Sequence, residues 1–288
     1  MDEERPSQTA EGAAILRALH QTLDEEPKIL NDPIAVRLVD PSSDVYKAYV
    51  QSLEKMPAAL RLRRRGYAVM RIRYTEDCLA ESLAQGVRQY VIMGAGLDTF
   101  AYRQPSWATA LRIFEVDHPA TQRWKRTKLS AAGIQIPENV IFAAVNFEEI
   151  SLEAGLAACG FDLGVPTFLS WLGVTMYLTE EAIDRALKFI LAMPRSSEIV
   201  LDFVVPDELI ASEDAPAVAK VVARVAQQGE PFVTRFAPEG LTAKLSAAGF
   251  STVVHLSPQA AFDRYFVGRQ DGLGAPTALP FQLMRAIV

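Results

Sequence analysis

Short apolar runs alternate with longer amphipathic stretches through the middle of the chain. Five of these runs have the length of buried strands, at residues 90–93, 111–116, 140–145, 166–170 and 198–205. Uninterrupted apolar runs of this kind are typical of parallel strands that are covered on both faces. Because helical patterns separate them, the sequence predicts an α/β protein.

The C-terminal third continues this pattern. A helix at 239–248 precedes a strand at 251–256, and a final strand is predicted at 281–288. Residues 215–227 have an amphipathic helical pattern. We interpret that helix as part of a lid inserted near 206–237, because it follows a polar bend instead of a strand.

The N-terminal part is helical. After a polar stretch at 1–12, which we interpret as a disordered lead, one apolar stripe predicts a helix at 13–23. The pair Asp32-Pro33 is a typical helix start, with an acidic cap followed by proline in the first turn. We therefore expect an N-terminal helical cap over residues 1–85 and an α/β domain over 86–288.

A long helix is predicted at about 58–83, and it is apolar on two nearly opposite sides. Such a helix lies between two layers instead of on a surface. Arg71 and Arg73 point about 160° apart at 100° per residue, so they cannot serve the same site. The two apolar rows are Met70, Tyr74 and Cys78 on one side and Ile72, Leu79 and Leu83 on the other.

The first predicted strand breaks into Gly94-Ala95-Gly96, and the second ends in Asp117. A strand followed by a glycine turn, a helix start and a second strand with an acidic tip is typical of adenosine-cofactor sites. The glycines let backbone N–H groups approach the ligand, and the acid accepts hydrogen bonds from ribose hydroxyls. Glu115 alternates to the same face and is an alternative acid.

The fingerprint of dinucleotide-binding sites has a third glycine, three residues after the second, and this position distinguishes dinucleotides from other adenosine cofactors. That glycine serves packing beside a pyrophosphate, and here Thr99 stands in its place. S-adenosylmethionine has no pyrophosphate, so the spacing favours a methyltransferase over a nicotinamide or flavin enzyme or an ordinary βαβ turn. Asp98 and Thr99 are also expected to cap the following helix.

The motif GAGLDTFAYR followed by FEVDHP resembles the leucine carboxyl methyltransferase family. This family includes a bacterial branch of O-methyltransferases linked to polyketide and other secondary-metabolite synthesis. Residues 31–35, 71–77 and 168–179 resemble further family segments in the expected order. The resemblance implies a class I methyltransferase of Rossmann-like fold, with a seven-stranded, mostly parallel sheet, helices on both faces and S-adenosylmethionine as cofactor.

The resemblance also assigns roles to individual residues. It implies that Arg71 binds the methionine carboxylate of the cofactor and that Asp117 binds the ribose. The alternative for Arg71 is a surface ion pair with Glu76 or Asp77. Asn146 stands where the family usually has an acid that takes the adenine amino group, and the N–H of Phe147 meets a ring nitrogen.

The segment after the fourth strand is expected to meet the methyl acceptor, since ligands lie beyond the carboxyl ends of parallel strands. Leu172 departs from the glutamate of many relatives, which leaves a contact to the cofactor amine in doubt. Tyr74, Trp171 and Tyr177 are candidates for contacts with the substrate. For Trp171 and Tyr177 the alternative is packing against the next helix.

Composition limits the partners. The mean hydropathy is +0.10 and no apolar run approaches the length of a membrane span, so we expect a soluble, cytoplasmic protein. A net charge of −6 argues against nucleic-acid binding. Two distant cysteines and three scattered histidines indicate neither a disulfide framework nor a metal site. The sequence does not indicate the oligomeric state.

The expected reaction is O-methylation of a carboxylate or acidic hydroxyl of a small metabolite. A carboxylate needs no base, and the motifs contain no compelling general base. No catalytic residue is therefore assigned. An NAD(P)-dependent oxidoreductase and a cofactor-binding protein without catalysis remain alternatives.

Overall fold

The computed structural model describes residues 8–146, 150–210, 212, 215–227, 230–274 and 280–288. Seven strands form one sheet. They are β1 (Gln89–Met93), β2 (Arg112–Asp117), β3 (Val140–Ala144), β4 (Thr167–Trp171), β5 (Glu198–Val204), β6 (Thr252–Leu256) and β7 (Phe281–Ile287).

Ten α-helices accompany the sheet in the described residues. They are α1 (Gln8–Leu23), α2 (Pro33–Leu38), α3 (Asp44–Glu54), α4 (Ala58–Leu83), α5 (Pro119–Ala131), α6 (Leu152–Ala158), α7 (Glu180–Leu191), α8 (Ala215–Gln227), α9 (Pro238–Ala248) and α10 (Pro258–Tyr265). The last of these has no counterpart in the sequence prediction.

The strand order is β3-β2-β1-β4-β5-β7-β6. Strands β1 to β5 are parallel, whereas β7 lies between β5 and β6 and is antiparallel to both. The chain reverses its direction of winding between β1 and β4, which is where an open α/β sheet binds ligands. The predicted seven-stranded, mostly parallel sheet is confirmed.

Side chains alternate between two buried cores, one on each face of the sheet. Tyr90 and Ile92 of β1 pack in one core, and Val91 and Met93 pack in the other. Both rows of α4 belong to the first core, as expected for a helix that is covered on two sides. The observed bounds of α4 are those predicted from its pattern.

The N-terminal helices depart from the prediction at one end. Helix α1 begins at Gln8, so the disordered lead expected at 1–12 is wrong for residues 8–12, and 1–7 lie outside the described residues. Helix α2 begins as predicted, with Pro33 in its first turn and Asp32 accepting a 3.0 Å hydrogen bond from the Ala35 N–H. The division into a cap and an α/β domain at residue 85 stays a prediction.

The segment after the glycine turn forms a 3-10 turn over Phe100–Tyr102 instead of an α-helix. Asp98 accepts a 2.8 Å hydrogen bond from the Phe100 N–H, as a cap would, but Thr99 makes no cap bond. The Thr99 hydroxyl is used elsewhere, as described below.

Candidate cofactor and substrate site

A cavity of about 460 Å³ lies beyond the carboxyl ends of β1 and β4. Its walls come from α1, α4, the glycine turn after β1, the loop after β4 and the segment 230–233. The carboxyl ends of parallel strands leave such a space where the winding reverses. Since α1 covers it, residues assigned above to a disordered lead form part of the wall, with Thr9 and Ala10 among them.

The two glycines adopt left-handed backbone angles, with φ of +69° at Gly94 and +44° at Gly96. An added Cβ at Gly94 would lie 2.3 Å from Val174 Cγ2, and one at Gly96 would lie 3.1 Å from Ala10 Cβ. Close packing and positive φ therefore require glycine here. From the sequence, the expected reason for these glycines was the approach of a ligand.

Asp117 lines the cavity next to the glycine turn. Its carboxylate accepts hydrogen bonds from the Gly96 N–H at 2.5 Å and the His118 N–H at 2.7 Å. Burial raises the pKa of Asp117 above its usual value, against the opposing effect of these two bonds. A carboxylate has about four lone-pair sites, so it retains capacity for further donors.

Glu115, the alternative acid, binds other protein groups. Its carboxylate is buried 2.8 Å from Lys125 Nζ and accepts a 2.9 Å hydrogen bond from the Tyr102 hydroxyl. It does not line the cavity. Of these two acids, Asp117 is therefore the one that lines the cavity.

Arg71 also lines the cavity, and it pairs with Asp202 through a 2.8 Å contact from Nη1. Its Nε is buried without a hydrogen-bond partner among the described residues. Neither acid of the alternative reading pairs with it, since Glu76 binds Arg103 and Asp77 binds Arg73.

Asp202, from the middle of β5, is fully buried and holds three donors. Besides Arg71, the Tyr67 hydroxyl donates at 3.2 Å and the Gly173 N–H at 2.6 Å. Burial opposes the charge on Arg71, but the Asp202 carboxylate outweighs it and raises the pKa of the guanidinium. Asp202 was not among the residues predicted from the sequence, although an acid inside the apolar run of 198–205 indicates a buried, paired carboxylate.

The remaining predicted residues divide into three groups. Asn146, Leu172 and Tyr177 line the cavity. Phe147 lies outside the described residues.

Trp171 and Tyr74 are buried in the core, in contrast to the substrate contacts expected of them. Alternation along β4 directs Ser170 and Leu172 to the cavity, so Trp171 lies on the opposite face. The Tyr74 ring packs in the other core, beneath the Arg264 guanidinium at 5.6 Å.

The leucine carboxyl methyltransferase family matches residues 10–191, more than half of the chain. A relative from Bacillus subtilis (strain 168), named "Putative S-adenosyl-L-methionine-dependent methyltransferase YktD", is 33% identical over 258 residues. That alignment covers 89% of this chain and 81% of the relative.

The chain belongs to the leucine carboxyl methyltransferase family. A second relative, from Mycolicibacterium paratuberculosis (strain ATCC BAA-968 / K-10), carries the same description and is 32% identical, covering 84% of this chain and 77% of its own length. The protein is thus an S-adenosylmethionine-dependent methyltransferase, and the oxidoreductase alternative is not supported.

Solved structures agree on the fold. The crystal structure of a Thermobifida fusca YX protein, titled as a "putative methyltransferase", superposes with a TM-score of 0.60 at 17% identity, covering 96% of this chain and 93% of that one. A DUF574 family protein from Streptomyces avermitilis MA-4680 has a TM-score of 0.58 at 15% identity, covering 94% of this chain and 96% of its own. At these identities the likeness shows the methyltransferase-like α/β fold alone.

The cavity of the methyltransferase fits S-adenosylmethionine in its chemistry. The unpartnered Nε of Arg71 is a buried donor suited to a carboxylate, and Asp117 is a half-buried acceptor suited to hydroxyls. Among the residues that the structure describes, no group of three or more His, Cys, Asp or Glu could hold a metal ion. Within the same residues, no helix is both long and apolar enough to cross a membrane.

One part of the cavity wall was not predicted from the sequence. It holds the rings of Tyr67, Phe232 and Phe281 and the carboxylate of Glu230. Tyr67 could have been found from helical spacing, since it precedes Arg71 by four residues on the same face of α4. The other three come from segments without a motif.

Proposed function

We propose that the methyltransferase transfers a methyl group to an acidic oxygen, a carboxylate or an acidic hydroxyl, of a small metabolite. The observation that carries this proposal is one continuous cavity, which extends from the glycine turn and Asp117 to the rings of Tyr177 and Phe232. A concave, mostly apolar site with a few placed polar groups is typical of small-molecule binding.

Three side chains are proposed to hold the cofactor. Arg71 binds the methionine carboxylate, Asp117 accepts hydrogen bonds from the ribose hydroxyls, and Asn146 accepts one from the adenine amino group. Their placement in the wall of one cavity supports these roles. Phe147 is proposed to contribute its backbone N–H to the adenine.

In the proposed reaction, the protein positions the cofactor and the methyl acceptor and excludes water from them. S-adenosylmethionine, when bound, supplies the methyl group and its sulfonium leaving group. The ion pair between Arg71 and Asp202 holds a guanidinium at a fixed place in the wall. Holding two reactants in line lowers the activation barrier, because the entropy loss of bringing them together occurs on binding. The apolar walls keep water away from the reacting atoms.

A role in secondary metabolism, including polyketide synthesis, is part of the proposal, on the strength of the motif resemblance given above. A cytoplasmic location is also proposed. Cys78 and Cys159 are free thiols, which supports a reducing compartment.

Titration calorimetry with S-adenosylhomocysteine tests the cofactor site, with NADH as the control ligand. We expect micromolar binding of the first ligand only, lost in Asp117→Ala and retained in Asp263→Ala, an exposed aspartate on α10. Tritium transfer from labelled S-adenosylmethionine to panels of acids and phenols then tests the reaction. Tight cofactor binding without transfer to either panel would contradict the proposed function.

A further inference from the structure

The cavity wall also holds a carboxylate whose hydrogen-bonding capacity is unmet. Glu230 lines the cavity, and its Oε2 is buried with no hydrogen-bond partner among the described residues. Its N–H donates to the Val225 carbonyl at 3.2 Å, and Val233 N donates to the Met176 carbonyl at 2.7 Å. The backbone of this segment is therefore tied both to α8 and to the loop after β4.

Four rings in the cavity wall form an unbroken row, which begins at Tyr177, a residue close enough to Glu230 to feel its charge. The Tyr177 and Phe232 centroids are 5.7 Å apart, those of Phe232 and Phe281 are 5.9 Å apart, and Phe281 stacks on Tyr67 at 5.5 Å. All four residues line the cavity. We call them the aromatic row. Rings at these separations offer faces and edges on which another planar ring packs favourably.

The charge on Glu230 restricts what binds there. A buried acceptor without a donor is costly, and an O–H or N–H group of a ligand removes that cost. A carboxylate ligand would instead place a second negative charge beside the first. The guanidiniums that line the cavity have other partners. Arg71 pairs with Asp202 and Arg17 with Asp32, and Arg64 donates to Met56 Sδ and to the Tyr49 hydroxyl.

We propose that the acceptor is a planar aromatic compound with a phenolic hydroxyl, and that Glu230 is the general base. The hydroxyl proton moves to Glu230 Oε2, and the phenolic oxygen forms a bond to the methyl carbon. The carbon–sulfur bond breaks and its electron pair stays on sulfur, so the products are an aryl methyl ether and S-adenosylhomocysteine. This inference rests on the proposed function and narrows it from acidic oxygens in general to phenols.

Binding is tested with matched naphthalene probes at saturating S-adenosylhomocysteine. We expect 2-naphthol to bind the wild type at least about tenfold more tightly than 2-naphthoate, because only the first offers a donor to Glu230. Glu230→Gln should bind 2-naphthoate more tightly than the wild type does, while Glu208→Gln, at an exposed site outside the cavity, should change nothing. Equal or tighter binding of 2-naphthoate by the wild type, or binding of neither probe, would overturn the proposal.

The aromatic row is tested by the same titration. Phe232→Leu should weaken 2-naphthol binding several-fold, since it removes the ring between Tyr177 and Phe281. Phe262→Leu is the control, because Phe262 is an aromatic residue that lies outside the cavity. Unchanged affinity in Phe232→Leu would remove the row from the acceptor site.

Single-turnover transfer of a labelled methyl group tests whether Glu230 acts as a general base or only supports the structure of the site. Glu230→Gln should slow transfer to 2-naphthol by about 10²- to 10⁴-fold, with its affinity nearly unchanged. The loss should be much smaller with 4-nitrophenol, which is largely ionised at weakly alkaline pH and needs no base. An equal loss for both phenols, or no loss, would contradict the base assignment.

The two proposals fail in different ways. If the wild type methylates 2-naphthoate and Glu230→Gln does so equally well, the phenol inference fails and the proposed function stands. If S-adenosylhomocysteine does not bind, the proposed function itself fails.

Discussion

The Thr99 hydroxyl donates a 2.7 Å hydrogen bond to the carboxylate of Asp32, 67 residues earlier in the chain. The same carboxylate oxygen accepts from Arg17 Nε at 3.0 Å, and Arg103 Nε donates to Thr99 Oγ1 at 3.1 Å. Asp32 thus links the start of α2, helix α1 and the end of the glycine turn. A threonine at the third fingerprint position has a structural use that a glycine could not provide.

Thr99→Val should destabilise the fold by about 1 to 2 kcal/mol, because it leaves Asp32 and Arg103 with one buried partner fewer while the side-chain volume stays similar. Urea unfolding followed by circular dichroism measures this. Thr99→Ser, which keeps the hydroxyl, should lose much less. If the valine and serine variants were equally stable, the bond to Asp32 would not be stabilising.

Stability should also respond to acid through Asp32. Burial opposes its ionisation, but Arg17 and Arg103 outweigh burial and hold the pKa of Asp32 below the usual 3.8. A lowered folded-state pKa contributes stability above the unfolded pKa, and this contribution is lost as pH falls through the folded value. Unfolding free energies of the wild type should therefore drop more steeply below about pH 4 than those of Asp32→Asn. Parallel curves for the two proteins would contradict this.

The ion pair of Arg71 and Asp202 should matter for both stability and cofactor binding. Asp202→Ala leaves a buried guanidinium unpaired, so we expect a loss of about 3 kcal/mol in unfolding free energy. The affinity for S-adenosylhomocysteine should fall as well, since Arg71 is no longer held. Asp207→Ala is the control, because its pair with Arg235 is largely exposed. A smaller loss in Asp202→Ala than in this control would show that the buried pair is not needed.

Gly94→Ala should lower stability in two ways, through backbone strain at positive φ and through contact of the new Cβ with Val174. A substitution at Gly133 measures the backbone strain alone. Gly133 has a similar φ of +62°, but a Cβ there would meet nothing within 4 Å. Gly133→Ala should therefore cost only the backbone strain, about 1 to 2 kcal/mol. Gly94→Ala should cost more, because its Cβ also meets Val174, and Val174→Ala in the same chain should recover part of the difference. Equal losses at both glycines, measured by urea unfolding, would rule out the contact.

Cofactor affinity should weaken in acid through Asp117. The ionised carboxylate accepts hydrogen bonds from hydroxyl donors better than the protonated form does. Because burial raises the pKa of Asp117, protonation begins at a higher pH than for an ordinary aspartate. Calorimetry from weakly alkaline to weakly acidic pH should show the Kd of S-adenosylhomocysteine rising as pH falls, with a flatter profile for Asp117→Asn. A pH-independent wild-type Kd would argue against Asp117 as the acceptor.

Much of the fold could be predicted because its signals are local. The five central strands, the bounds of α4 and the start of α2 follow from apolar periodicity and cap residues within one segment. The glycine turn and Asp117 were also readable, since both lie within one βαβ-like stretch. Their nearness to each other follows from the parallel pairing of β1 with β2.

By itself, then, the sequence determined the α/β sheet, the ends of its strands and the family to which the chain belongs. Only the tertiary structure decided that Arg71 pairs with Asp202, that Trp171 packs in the core and that Glu230 lines the same cavity as the aromatic row. These relationships join residues that are far apart in sequence. They depend on which helix covers which face of the sheet, and no local propensity or periodicity encodes that choice.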